Sequence, residues 1–203
     1  MFLRMKQFVF ALALGAATLT STAALAAEKL SLTEISAYLN GFSTAQAEFT
    51  QVNDDGSLST GRLYMRRPGK VRFEYDAPHS GLVLAEAGTV AILDPKSNQP
   101  PETYPLSRTP LSLILARNVN LSQADMVVGH GFDGVSTVVR AQDPKNPEYG
   151  SIELMFTDDP VQLRKWVIHG GAGEETTVIL GGMATGMSLK SSLFSISRPT
   201  RDR

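Results

Sequence analysis

Residues able to do covalent or metal chemistry are sparse in this chain. Its three histidines, His79, His130 and His169, lie far apart, with neither an i, i+4 pair nor metal-finger spacing. They are expected to be surface or loop residues rather than ligands. There is no cysteine, which removes thiolate nucleophiles and disulfides and leaves core packing alone to hold the fold. No G-x-S-x-G nucleophile elbow occurs. Asp158-Asp159-Pro160 reads as a polar turn between two strands rather than a catalytic carboxylate pair. The glycines of His169-Gly170-Gly171-Ala172-Gly173 follow one β-rich run and precede another. A phosphate-cradling loop would open a helix, so a hairpin turn is expected there, and a turn also at Gly181-Gly182. Nothing here assembles an active site, and the chain is read as a non-enzyme with no metal and no cofactor.

The most distinctive stretch is Arg66-Arg67-Pro68-Gly69-Lys70-Val71-Arg72-Phe73-Glu74-Tyr75-Asp76-Ala77-Pro78. Pro68-Gly69 marks a turn between two strands. An arginine beside it could donate hydrogen bonds to the carbonyls of a facing element, or could simply be part of a solvated basic turn. Five methionines after residue 26, Met65, Met126, Met155, Met183 and Met187, suit an irregular ligand but fill ordinary cores equally well.

Strands and a few helices must position these residues. Ser31-Leu32-Thr33-Glu34 is a capping box, followed by Leu32, Ile35, Leu39 and Phe42 at helical spacing, with Gly41 as the stop. A second helix is expected over 109–118, with Thr109 as N-cap and Pro110 at the first helical position. A third, short one is expected to start at Ser122. Residues 70–75 alternate between charged positions and Val71, Phe73 and Tyr75, and 151–157 alternate on Ile152, Leu154 and Phe156. Further strands are expected at 163–168, 176–180 and 189–196, separated by Gly, Pro, Asn and Asp. Closely spaced strands with short turns predict a mainly β fold built on one curved antiparallel sheet. Its apolar face must be covered. With only short helices available, the interior is either a concave apolar cavity or filled by side chains, and the pattern does not choose.

Arg4 and Lys6, an apolar run over 8–17 and Ala24-Leu25-Ala26 form a secretory leader. The run is too short to span a bilayer, which takes about 20 apolar residues. The expected organisation is a leader over 1–26 and one domain over 27–203. Removing the leader takes away two of 19 basic residues and none of 20 acidic ones, leaving 17 against 20, a net charge of −3. That balance, with export, argues against nucleic acid as a partner.

In order along the chain, several segments resemble the periplasmic outer-membrane lipoprotein carrier family. They are Phe49-Thr50-Gln51, Tyr64-Met65-Arg66-Arg67-Pro68 with Arg72-Phe73-Glu74-Tyr75 and Pro78, Asp94-Pro95 with Gln99, Thr109-Pro110-Leu111-Ser112-Leu113-Ile114-Leu115, and Phe194 to Pro199. The resemblance departs at Ile92-Leu93, where an aromatic often precedes the Asp-Pro turn, and at a C-terminus four residues after Pro199. It implies an unclosed β-barrel with short helices as a lid over an apolar cavity. It implies lipoprotein acyl chains as ligand, an inner-membrane ABC-type release complex as donor, and an outer-membrane receptor or the outer membrane itself as acceptor. Arg67 would tether the lid; Val71, Phe73 and Tyr75 on the strand and Leu111, Leu113 and Ile114 on the lid would face the cavity. A monomer in the periplasm suits such a carrier. A free lipid or glycolipid binder or envelope sensor of the same fold, an assembly protein with a filled core, and, last, an envelope hydrolase are the alternatives.

Overall fold

The computed structural model describes residues 27–94, 96 and 99–195. The leader and the closing residues Ile196 to Pro199 lie outside them. The elements run α1 (Leu32–Asn40), β1 (Thr44–Val52), β2 (Leu58–Arg66), β3 (Lys70–Tyr75), β4 (Leu82–Glu86), β5 (Thr89–Leu93), β6 (Glu102–Pro105), α2 (Leu111–Leu115), β7 (Val127–Phe132), β8 (Thr137–Gln142), β9 (Ser151–Asp158), β10 (Val161–His169), β11 (Glu175–Leu180) and β12 (Ala184–Thr185).

All strands join one antiparallel sheet in the order β6-β5-β4-β3-β2-β1-β11-β10-β9-β8-β7, with β12 also paired to β1. The sheet is not closed: β6 and β7 are its two edges. β1 is the hinge between its halves. It pairs with β2 over its full length, with β11 through Phe49 to Val52 and with β12 through Ala45 and Gln46. Gly181-Gly182, expected as a turn, is the break between β11 and β12, and the Gly181 N–H stays bonded to the Glu48 carbonyl at 2.8 Å.

The capping box of α1 is formed. The Ser31 hydroxyl accepts from the Glu34 N–H, and a Glu34 carboxylate oxygen accepts from the Ser31 N–H. Ile35 and Leu39 of α1 and Ile114 and Leu115 of α2 are buried, so the two helices plug one end of the concave interior.

Three elements differ from the sequence reading. α2 spans only Leu111–Leu115, with Pro110 at its N-cap. The Thr109 hydroxyl instead donates to the Leu106 carbonyl at 2.9 Å, because the residues before α2 form their own 3-10 turn, Leu106–Arg108. The short third helix is a 3-10 turn, Leu121–Gln123. In place of a strand at 189–196, the described part is a 3-10 turn, Ser191–Phe194, which packs on the outer surface of β3 and β4. It also buries Arg72, one of the charged positions of the alternating stretch. Arg72 is 3% exposed, its guanidinium donating to Glu74 at 3.1 Å and to the Leu193 carbonyl at 3.3 Å.

Candidate functional site: an apolar cavity between the sheet halves

Away from the helical plug, the interior is open. A cavity of about 640 Å³ lies between the two halves of the sheet, within the ~300–1,000 Å³ typical of ligand sites. Phe73, Tyr75, Val83 and Leu111 line one side, and Ile152, Trp166 and Val178 the other. A chain of edge-to-face aromatic contacts joins the two sides: Tyr75 to Phe49 at 5.1 Å, Phe49 to Phe73 at 5.7 Å and Phe73 to Trp166 at 5.8 Å. A polar couple lies within this lining. The Tyr75 hydroxyl donates to Gln51 Oε1 at 2.6 Å, and Gln51 Nε2 donates to Asn53 Oδ1 at 2.6 Å. Burial pushes the Tyr75 phenol above its ordinary pKa, the hydrogen bond to Gln51 opposing it, so it stays a neutral donor.

The mouth is apolar too. Ile92, Tyr104, Tyr149 and Ile168 line the cavity and are each more than 40% exposed. Large apolar side chains held in water around an opening suit a ligand that covers them. The segment leading into β9, Tyr149 to Ser151, and Gly170-Gly171 directly after β10 form part of this rim. Gly170 to Gly173 lie in the expected hairpin turn, between β10 and β11.

Of the six residues assigned to the cavity by resemblance, Phe73, Tyr75 and Leu111 line it. Val71 and Ile114 lie in the packed core, 0% and 2% exposed, and Leu113 packs half-buried against that core. The difference in placement has a simple cause. Alternation puts Val71 on the same face as Phe73 and Tyr75, but Val71 stands at the start of β3, beside the turn whose Gly69 N–H bonds the Leu115 carbonyl of α2, and is fully covered there. Trp166 and Gln51 were missed as cavity residues. Trp166 was hidden by a bulge: β10 pairs Leu163 with Phe156 and then Lys165 with Met155, skipping Arg164. That shift puts Leu163 and Trp166 on one face despite their odd spacing.

Arg67, assigned to the lid, sits in the turn between β2 and β3. Its Nη2 donates to the carbonyls of Leu39 and Phe42 at the end of α1, and its guanidinium lies 5.2 Å from the Phe42 ring centroid. Those bonds go to α1 rather than α2. A helix leaves its last four carbonyls without internal partners, and a cation there also complements the helix dipole. The same turn holds α2 by its backbone, the Gly69 N–H donating to the Leu115 carbonyl at 2.9 Å. Burial lowers the Arg67 pKa, and its Nε and Nη1 are buried with no hydrogen-bond partner among the described residues.

His130 Nε2 meets the Leu30 carbonyl at 2.8 Å, and His169 lies 3.2 Å from Glu175 and 3.9 Å from Glu153. Among the described residues no group of three or more His, Asp and Glu side chains could hold a metal ion. No helix among them is long and apolar enough to cross a membrane.

Residues 40–197 match the family model described as "Outer membrane lipoprotein carrier protein LolA". An outer-membrane lipoprotein carrier protein of Methylococcus capsulatus is 26% identical over 184 residues, covering 85% of this chain and 86% of that one. One of Azotobacter vinelandii is 24% identical over 181 residues, covering 85% and 86%. Among solved structures, a DUF1329 family protein from Desulfovibrio piger shares the fold with a TM-score of 0.50 at 12% identity, covering 82% of this chain and 95% of that one. A LolA superfamily protein from Nitrosomonas europaea aligns with a TM-score of 0.44 at 10% identity, covering 83% and 99%. With more than three quarters of its length matched by one family model, the chain belongs to the outer membrane lipoprotein carrier protein family.

Proposed function

We propose that this protein shelters the acyl chains of lipid-anchored proteins and carries them through the periplasm, from an inner-membrane release complex of the ABC type to the outer membrane or a receptor in it. The observation that carries this reading is the apolar cavity of about 640 Å³ with an apolar, exposed mouth, in a chain of the carrier family. The leader over 1–26 would direct export, and the role would be that of a carrier and not an enzyme. Burying an acyl chain is worth about 0.8 kcal/mol per methylene, so lipoproteins with two or three long chains do not cross water unaided. The shelter must approach the membrane in quality without surpassing it, or release would fail.

Arg67 is proposed to set that balance. Its bonds to the end of α1, with the Gly69 bond to α2, bias the helices toward closing the interior. A loaded state that moves the helices breaks these contacts, which offsets part of the gain from acyl burial.

The test is a release assay. Spheroplasts carrying a labelled outer-membrane lipoprotein and a compatible inner-membrane complex receive the purified protein. Soluble lipoprotein in a one-to-one complex, appearing only with the protein present, supports the reading. No release, together with a co-purified free lipid, would shift the function to lipid binding or sensing on the same cavity.

A further inference from the structure

The cavity mouth carries one cation whose environment suggests a second level of recognition. Among the described residues, Arg108 and Glu174 are the charged side chains lining the cavity. Glu174 is engaged locally: its Oε2 accepts from the Ala172 N–H at 3.1 Å. Arg108 makes no hydrogen bond or ion pair among the described residues. It is nevertheless held in place by its backbone, as the last residue of the 3-10 turn Leu106–Arg108. Leu106 anchors that turn by burial and by its N–H bond to the Gly88 carbonyl at 2.8 Å. The N–H and hydroxyl of Thr109 then close it, both donating to the Leu106 carbonyl, at 3.0 and 2.9 Å. A planar guanidinium with five donors and no acceptor thus stands where an acyl chain would leave the apolar interior.

We propose that Arg108 grips the polar group attached to the acyl chain, which must offer acceptor oxygens: the ester and amide carbonyls of a lipid-modified N-terminus, or the phosphate of a lipid headgroup. This rests on the reading that the cavity takes acyl chains. It adds that chain and headgroup are read at separate places. The hydrocarbon is read by the aromatic lining and the headgroup by one guanidinium at the rim. Arginine suits this role better than lysine because its rigid fork can bridge two oxygens.

The experiment uses the purified protein and diphenylhexatriene, an apolar fluorophore without donors or acceptors, as the cavity probe. A triacylated lipopeptide and lysophosphatidylglycerol, the latter kept below its micelle concentration, compete for it. Arg108→Leu should leave the affinity for diphenylhexatriene within about twofold. It should weaken the headed ligand about ten- to a hundredfold, the scale of a charge-assisted hydrogen bond, with Arg108→Lys recovering part of the loss. Weakening of the lipopeptide alone assigns the site to carbonyls, and weakening of the lysophospholipid alone assigns it to phosphate. Equal losses for the headless probe and both headed ligands, or no loss for either headed ligand, overturn the inference while the cavity reading stands. If the wild type binds neither the fluorophore nor the lipids, both fall together.

Discussion

Replacing Arg67 with leucine should barely change global stability yet impair the return of the helices to their closed position. The reasoning starts from what the guanidinium gains and loses. Two charge-assisted bonds to the Leu39 and Phe42 carbonyls contribute about 1.5–3 kcal/mol each. The contact with the Phe42 ring at 5.2 Å adds about 0.5–2 kcal/mol. Against these stand Nε and Nη1, buried without partners, at a cost of about 1–3 kcal/mol each. The opposing terms nearly cancel, so the net tether is on the order of 1–2 kcal/mol. That is too weak for a clamp but sufficient to bias a two-state helix position by about tenfold. Arg67→Leu keeps most of the buried hydrocarbon and removes the orphaned donors. Urea denaturation should therefore shift by less than about 2 kcal/mol, a change in melting temperature of under about 8 °C for a chain of this length. In the release assay the variant should load at the wild-type rate and deliver its cargo to outer membranes more slowly. A destabilisation above about 4 kcal/mol would show that the guanidinium is a structural clamp, and delivery at the wild-type rate would refute its role as a release bias.

Other consequences can be checked directly. Phe194, 0% exposed and 5.0 Å from the Arg66 guanidinium, anchors the C-terminal turn to the outer face of the sheet. Phe194→Ala should cost about 3–5 kcal/mol in denaturant unfolding, and a cost below about 1 kcal/mol would mean that the turn contributes little to the fold. Trp166 is the sole tryptophan and lines the cavity, so its emission should shift when an acyl ligand enters; an unchanged spectrum at saturation would place the ligand elsewhere. Hydrogen bonds hold Glu34, Asp55, Asp133, Asp143 and Asp158 below their ordinary pKa, three of them chiefly through backbone N–H groups. The main donors to these three are the Ser31 backbone to Glu34, the Ser136 backbone to Asp133 and the Glu28 backbone to Asp158. Depressed folded values mean that their stabilisation is full above the ordinary carboxylate range and lost as pH falls through the folded values. The melting temperature should therefore drop below about pH 4, and the triple variant Glu34→Gln, Asp133→Asn, Asp158→Asn should show a flatter acid limb.

Local patterns determined much of this protein before any tertiary contact was known. The capping box at Ser31 and Glu34, the strict alternation over 70–75, and the Pro-Gly and Gly-rich turns each depend on neighbours a few residues away. The absence of cysteine, and with it of thiol chemistry, is likewise a property of composition. The ordered resemblance to lipoprotein carriers supplied the unclosed mainly β architecture, and of the residues it named Phe73, Tyr75 and Leu111 line the cavity. What the sequence left open depended on long-range placement. Alternation assigns Val71 to the inner face but cannot say that it is covered there, beside the turn bonded to α2, whereas the cavity lies farther along β3. The bulge at Arg164 changes phase within β10 and so hid Trp166. The acceptors of Arg67 are carbonyls exposed where α1 stops, more than 20 residues earlier in the chain. Arg72 reads only as a charged position of its strand, and is buried because a segment about 120 residues later folds over it. Periodicity reports which face a residue occupies, and only the packing of distant segments decides what that face meets.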